Sequence, residues 1–273
     1  YLVSMLKRLL PAALLLLLAA CGGPPPESVP EFGVRPPATS VTERPITTID
    51  LATWIQESVT INDSLTRVAW RSGGFFNDLF RQWVTVNGTA SPKYRAVYDP
   101  LTFSPRGDRF AYVATAHDSD FVVIDRDPGP KFSFVSANSL TFSPDGSRIA
   151  YFASSANRIY AIVDNRREGP FTDVVPHSIR FSSDSRRVGY IAMIGDSAFV
   201  IVDGEFSEAS AGYGPDDPVF APNSQHVAWT AVDSSSATIY VDGVARGHYD
   251  AAHQLPITFS PNSKRWLVTM MRD

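Results

Sequence analysis

The chain reads as an all-β protein made of one small antiparallel sheet repeated along its length, and three observations say so. A recurring stretch appears as LTFSPRGDRFAYVA from Leu101, LTFSPDGSRIAYFA from Leu140, IRFSSDSRRVGYIA from Ile179, VFAPNSQHVAWTA from Val219 and ITFSPNSKRWLVT from Ile257. The residue before each turn, Ser104, Ser143, Ser182, Ala221 and Ser260, recurs at an interval of 39, as in an array of equal structural units. Within each unit, runs of β-branched and aromatic residues alternate with Pro, Gly, Asn and Asp clusters, and no helical periodicity interrupts them. Four strands in 39 residues, meandering antiparallel, form the blade of a β-propeller. Five blades are recognisable, followed by a partial sixth.

Residues 1–20 precede the fold as a targeting segment. Lys7 and Arg8 lead an apolar run from Leu9 to Ala20 that is short for a membrane span, with Met5 as the start. The run closes on Leu18-Ala19-Ala20-Cys21, which resembles the lipobox of bacterial lipoproteins. That resemblance implies cleavage before Cys21 and lipidation of its thiol, and Gly22 is similar to signals that permit export to the outer membrane. The expected location is the cell envelope, lipid-anchored at the outer membrane and facing the periplasm or the cell surface. Cys21 is the only cysteine, which excludes an internal disulfide and a thiol-built metal cluster. Residues 21–45, rich in proline and poor in apolar side chains, suit a semi-extended tether.

Without Lys7 and Arg8 the mature chain carries 22 Lys and Arg against 28 acids, a formal charge of −6. A mildly acidic surface argues against nucleic acid or anionic lipid as the main partner. The 228 residues from Ile46 to Asp273 are ample for one all-β domain.

The unit from Leu140 shows the expected blade. LTFS alternates, SPDG turns with proline pre-set and glycine after aspartate, and SRIAYFAS resumes an extended run. RIYAIVD is a third strand, NRREGP carries turn residues, and FTDVVP is expected as the fourth strand. The blades begin near residues 59, 101, 140, 179, 218 and 257. VTINDSLTRVAW from Val59 aligns with LTFSPRGDRFAY at an offset of 42, and the extra residues are assigned to a loop in RSGGFFNDLFRQ. The sixth unit holds two strands. Either PITTIDLATWIQESV from Pro45 completes that last sheet, or the sequence is the front part of a longer protein; exposed pairing edges, the lack of an initiator before Tyr1 and the stop after Asp273 favour the second.

The SPDG turn followed by a basic residue and IAY resembles the TolB-type repeat, a relative of WD-repeat blades in periplasmic propellers. The likeness covers about residues 59–273; Ser182-Ser183-Asp184-Ser185 departs from it by lacking proline and glycine, and Ala221-Pro222-Asn223-Ser224 by lacking glycine. It implies an interaction scaffold with an envelope or peptidoglycan-associated protein as partner. Propellers that look like this also precede the hydrolase domain of prolyl-oligopeptidase-type peptidases, so the alternative is the propeller of a longer hydrolase with its chemistry beyond Asp273. No G-x-S-x-G elbow occurs here, and binding rather than catalysis is expected, with no cofactor and no metal.

Several columns of residues invite a functional reading. Asp125, Asp164, Asp203 and Asp242, with Asn87, sit where strand three enters its hairpin, and turn formation explains them better than a metal site does. Arg67, Arg109, Arg148, Arg187, His226 and Arg265 form a basic column beside them, expected to pair with those acids. The opposite face collects the irregular loops and is the expected binding face: Phe75, Phe76, Asp99, His117, Asp118, Asn138, His177, Asp196 and Asp216 are its candidate residues. Asp99, Asn138, His177 and Asp216 recur at 39 and are expected near the channel mouth. Trp70, Tyr112, Tyr151, Tyr190 and Trp229 are assigned to packing between blades.

Overall fold

The computed structural model describes residues 45–77, 79–210, 214–215, 217–232, 236–250 and 257–268. They form a β-propeller of antiparallel sheets, each a meander in sequence order. The first blade comprises Thr60–Ile61, Val68–Phe76, Leu79–Val86 and Thr89–Ala90, and the second Ala96–Phe103, Phe110–Ala116, Ser119–Ile124 and Asp127–Pro128. In the third, Phe134–Val135 and Thr141–Phe142 both pair with Ile149–Ser155, followed by Arg158–Val163 and Arg166–Phe171. The fourth and fifth repeat this plan, and Ile257–Phe259 with Trp266–Val268 forms a two-stranded sixth sheet.

The first strand of blades one to five is broken in the same place. In the second blade the pairing shifts register between Tyr98 and Thr102, and in later blades the strand splits into two short pieces. In the first, third and fourth blades a buried serine fills the break: Ser139 donates to the Ser136 carbonyl at 2.7 Å and accepts the Phe152 amide at 2.8 Å. Ser178 does the same between Val175 and Ile191, and Ser58 between Ile55 and Arg71. Each blade therefore begins upstream of the recurring motif, in residues the sequence assigns elsewhere. FTDVVP is not a fourth strand: Arg166–Phe171 occupies that place, and Asp173–Val174 pairs with the next blade at Met193 and Ala192.

The same plan places part of the segment from Pro45 in the first blade. Trp54 bridges Ser72, the Ile55 amide donates to the Arg71 carbonyl, and the Gly73 amide donates to the Thr53 carbonyl, so the segment supplies the broken first strand of the first blade. Ile46, Ile49 and Trp54 also cover Val68 and Trp70 on the face of that blade turned away from the second.

Packing follows from a period of two on strands buried on both faces. Phe110, Tyr112 and Ala114 face the first blade, whereas Ala111 and Val113 face the third. Ile149, Tyr151 and Ala153 face the second blade, and Ala150 and Phe152 the fourth. The aromatic column of strand two thus always packs against the preceding layer, with Tyr190 edge-on to Phe152 at 5.7 Å. The expected inter-blade role of that column is what the structure shows. Phe152 is 1% exposed at the junction of the third and fourth blades. Phe152→Ala is expected to cost about 3–5 kcal/mol, measured by chemical denaturation; a loss below about 1 kcal/mol would mean the blades do not share that core.

Candidate functional site

The two edges of the sheets differ in kind. On one edge, the turn between strands one and two closes with an amide-to-carbonyl bond from Gly107 to Ser104, and likewise at Gly146, Ser185, Ser224 and Ser263. The hairpin between strands three and four places Asp125, Asp164, Asp203 and Asp242 at φ of 54°, 49°, 54° and 52°, a left-handed backbone that Asp and Asn tolerate. One carboxylate oxygen of each accepts the amide that opens strand two, as Ile149 donates to Asp164 at 3.1 Å. The other oxygen accepts Arg Nε: Arg109 to Asp125 at 2.9 Å, Arg148 to Asp164 at 2.7 Å and Arg187 to Asp203 at 2.8 Å, with His226 Nδ1 on Asp242 at 2.7 Å.

The arginines also leave their own blade. Arg148 donates to the Ser185 and Arg186 carbonyls of the fourth blade, and its guanidinium lies 5.3 Å from the Phe181 ring centroid. Arg109 repeats this on Gly146, Ser147 and Phe142, and Arg67 on Gly107, Asp108 and Phe103. The paired columns are a structural clamp between neighbours, in which Arg109, Arg148 and Arg187 each commit Nε and one terminal nitrogen, and among the described residues no three His, Cys, Asp or Glu side chains are grouped to hold a metal.

The opposite edge carries an irregularity suited to binding. In the first blade the residues expected as a loop form a longer hairpin: Val68–Phe76 pairs with Leu79–Val86 through Phe75 to Phe80 and Phe76 to Leu79. Its second strand has nine residues where the next three blades have seven, which carries the tip about 7 Å further. Phe75 is 76% exposed, Leu79 54%, Phe80 45% and Phe76 38%. Phe75 and Phe80 meet edge-on at 5.4 Å. Phe76 lies edge-on to Trp83 at 5.8 Å, and Lys93 Nζ stands 3.2 Å from the Phe76 centroid. Gly73 leaves room for the Phe80 ring, since a Cβ there would fall 2.6 Å from it. The tip is an aromatic cluster with its apolar atoms facing solvent.

The remaining candidate residues do not converge on one point. Asp99 pairs with Arg71 at 2.5 Å, and Arg71 also donates to the Val97 carbonyl. Asp118 pairs with Arg95 at 2.7 Å, and Arg95 also donates to the carbonyl of His117, whose φ is 56°. Asn138 is exposed in the short 3-10 turn Ala137–Ser139, and His177 contributes its carbonyl to Arg180. Asp196 is exposed in the turn of the fourth blade. Asp216 and Cys21 lie outside the described residues. Sequence reasoning passed over Leu79 and Phe80, although FFNDLF, with aromatics on both sides of Asn-Asp, is a hairpin signal.

No known protein family and no curated relative matches the chain by sequence. Among solved structures it is similar to "Crystal structure of the eukaryotic initiation factor", at 12% identity and a TM-score of 0.48, over 84% of this chain and 62% of that one. TolB from Acinetobacter baumannii gives 16% identity and a TM-score of 0.37, over 68% of this chain and 52% of that one. The β-propeller domain of the Trilobed protease from Pyrococcus furiosus gives 13% identity and a TM-score of 0.35, over 69% of each. The chain spans about three fifths and one half of the first two of these. Likeness at this level assigns neither family nor activity. By its own sheets the chain is a β-propeller scaffold.

The first edge also sets an acid limb. The Ser104 hydroxyl holds the Asp108 carboxyl below its usual range, the Ser147 amide with the Ser143 and Ser147 hydroxyls holds Asp145 well below it, and the Ser182 hydroxyl with the Arg186 amide lowers Asp184. A depressed folded-state value means that the stabilisation is complete above the unfolded carboxyl value near about 4 and is lost as pH falls through the folded values. Stability to denaturant is expected to drop below about pH 4, and Asp145→Asn to flatten that drop; an unchanged acid limb in the variant would contradict this.

Proposed function

We propose that this protein is a lipid-anchored scaffold of the cell envelope that docks a protein partner through the aromatic hairpin of its first blade. The observation that carries the reading is the Phe75, Phe76, Leu79 and Phe80 tip, an apolar cluster held out beyond the next three blades on the loop-rich edge. Solvent-exposed aromatics on a rigid hairpin lose little entropy when buried and are typical anchors of interfaces. The resemblance of the SPDG-type repeats to TolB-type propellers and of LAAC to a lipobox supports an envelope or peptidoglycan-associated partner, with attachment through Cys21 and the tether of residues 21–45. The acidic mature chain does not favour nucleic acid. The role is binding rather than catalysis, because the charged columns hold blades together and the candidate polar residues of the loop edge do not converge on one point.

The test is quantitative affinity capture from detergent-solubilised envelopes with the full chain, comparing wild type with Phe75→Ser, Phe80→Ser. Truncated hot-spot side chains cost about 2 kcal/mol or more, roughly 30-fold in affinity, so at least one wild-type partner should be lost while melting behaviour is kept. Equal recovery of every partner contradicts the docking face. In the same cells Cys21→Ser should release the protein from the membrane fraction, and unchanged retention contradicts the anchor.

A further inference from the structure

A second, unrelated cluster lies between the first and second blades on the clamped edge. There a cleft of about 210 Å³ is lined by Arg67, Asn87, Ser91, Tyr112, Asp125 and Arg126, among others. Three features of it break the pattern kept elsewhere. The first blade has Asn87 where the next four have aspartate, and Asn87 Oδ1 is taken by the Val68 amide at 2.8 Å. Arg67 is therefore the arginine of its column that, among the described residues of blades one to four, lacks a carboxylate partner. The hairpin between strands three and four has glycine or asparagine at its second position in the other blades, Gly88, Asn165, Gly204 and Gly243, whereas the second blade has Arg126 there at φ 109°. That backbone is strained for a residue with a side chain, and strain kept in place points to a use for the side chain. Lastly, the Tyr112 hydroxyl is buried with no partner at full hydrogen-bond geometry, with Ser91, Tyr94 and Arg126 near it.

We propose that this cleft is a binding site for a small oxyanion, a phosphate or carboxylate group. Arg67, which commits one terminal nitrogen to the Gly107 and Asp108 carbonyls, and Arg126 supply positive charge from two blades through their other N–H groups, and the Tyr112 hydroxyl supplies the buried donor. Asp125 does not oppose an anion, because its oxygens are bonded to Arg109 Nε and the Phe110 amide. Guanidinium groups bind such oxygens through fixed pairs of N–H donors, and an anion there would tie the first two blades together.

The full chain should be titrated calorimetrically with inorganic phosphate and separately with acetate, at ionic strength matched with sodium chloride. Saturable binding of either probe is expected, and which one binds tells the phosphate source from the carboxylate source. Arg126→Gly should lose it by at least about tenfold, the effect of one charged hydrogen bond, while melting at or above the wild-type temperature because the strained turn is relieved. Tyr112→Phe should fold normally and weaken binding by several-fold. Absence of saturable binding by both probes, or affinity unchanged in Arg126→Gly, would overturn the proposal.

Discussion

Blades two to five of this protein are buried on both faces, and that constraint governs the rest. A blade of four short strands presents apolar side chains to both sides, so it has nowhere to hide them except against the next blade. Tyr112, Tyr151 and Tyr190 all turn to the preceding layer, and Ala111, Val113, Ala150 and Phe152 to the following one. Apolar packing alone is non-directional. Register between blades comes from the rim, where one guanidinium binds its own aspartate through Nε and the next blade's carbonyls through a terminal nitrogen. An exposed ion pair is worth about 0–1 kcal/mol, so the clamp's value lies in orientation more than in stabilisation.

The turn that receives the clamp shows how the repeat tolerates variation. Gly107 and Gly146 sit at φ 74°, and a Cβ on Gly107 would meet Asn62 at 2.3 Å. Ser185, Ser224 and Ser263 take the same left-handed backbone at φ 65°, 62° and 58°. Their hydroxyls reach back to the preceding blade, accepting amides of Asp145, Asp184 and Asn223 at 3.0 Å. The lost glycine is offset by a new link between blades, which is why the departures from SPDG leave the architecture intact.

The array, the turn chemistry and the packing column were legible because they repeat: a residue that recurs at a fixed interval in a turn has one physical explanation at every position. Strand limits were less legible. In the first, third and fourth blades the outer half of the first strand lies across a break filled by Ser58, Ser139 or Ser178, and a two-residue strand such as Asp173–Val174 has no period to read. The candidate site was half legible. Phe75 and Phe76 stood out as an insertion, but their partners Phe80 and Trp83 appear only once the hairpin register is known. Asp99 and Asp118 looked available in the sequence because Arg71 and Arg95, which occupy them, are 28 and 23 residues away.

Coupling between neighbouring blades is the central claim, and amide hydrogen exchange in wild type and Arg148→Ala tests it most directly. Faster exchange is expected not only at Ile149 and Asp164 of the third blade but also across the Ser182–Arg187 turn of the fourth. Acceleration confined to the third blade would contradict the account.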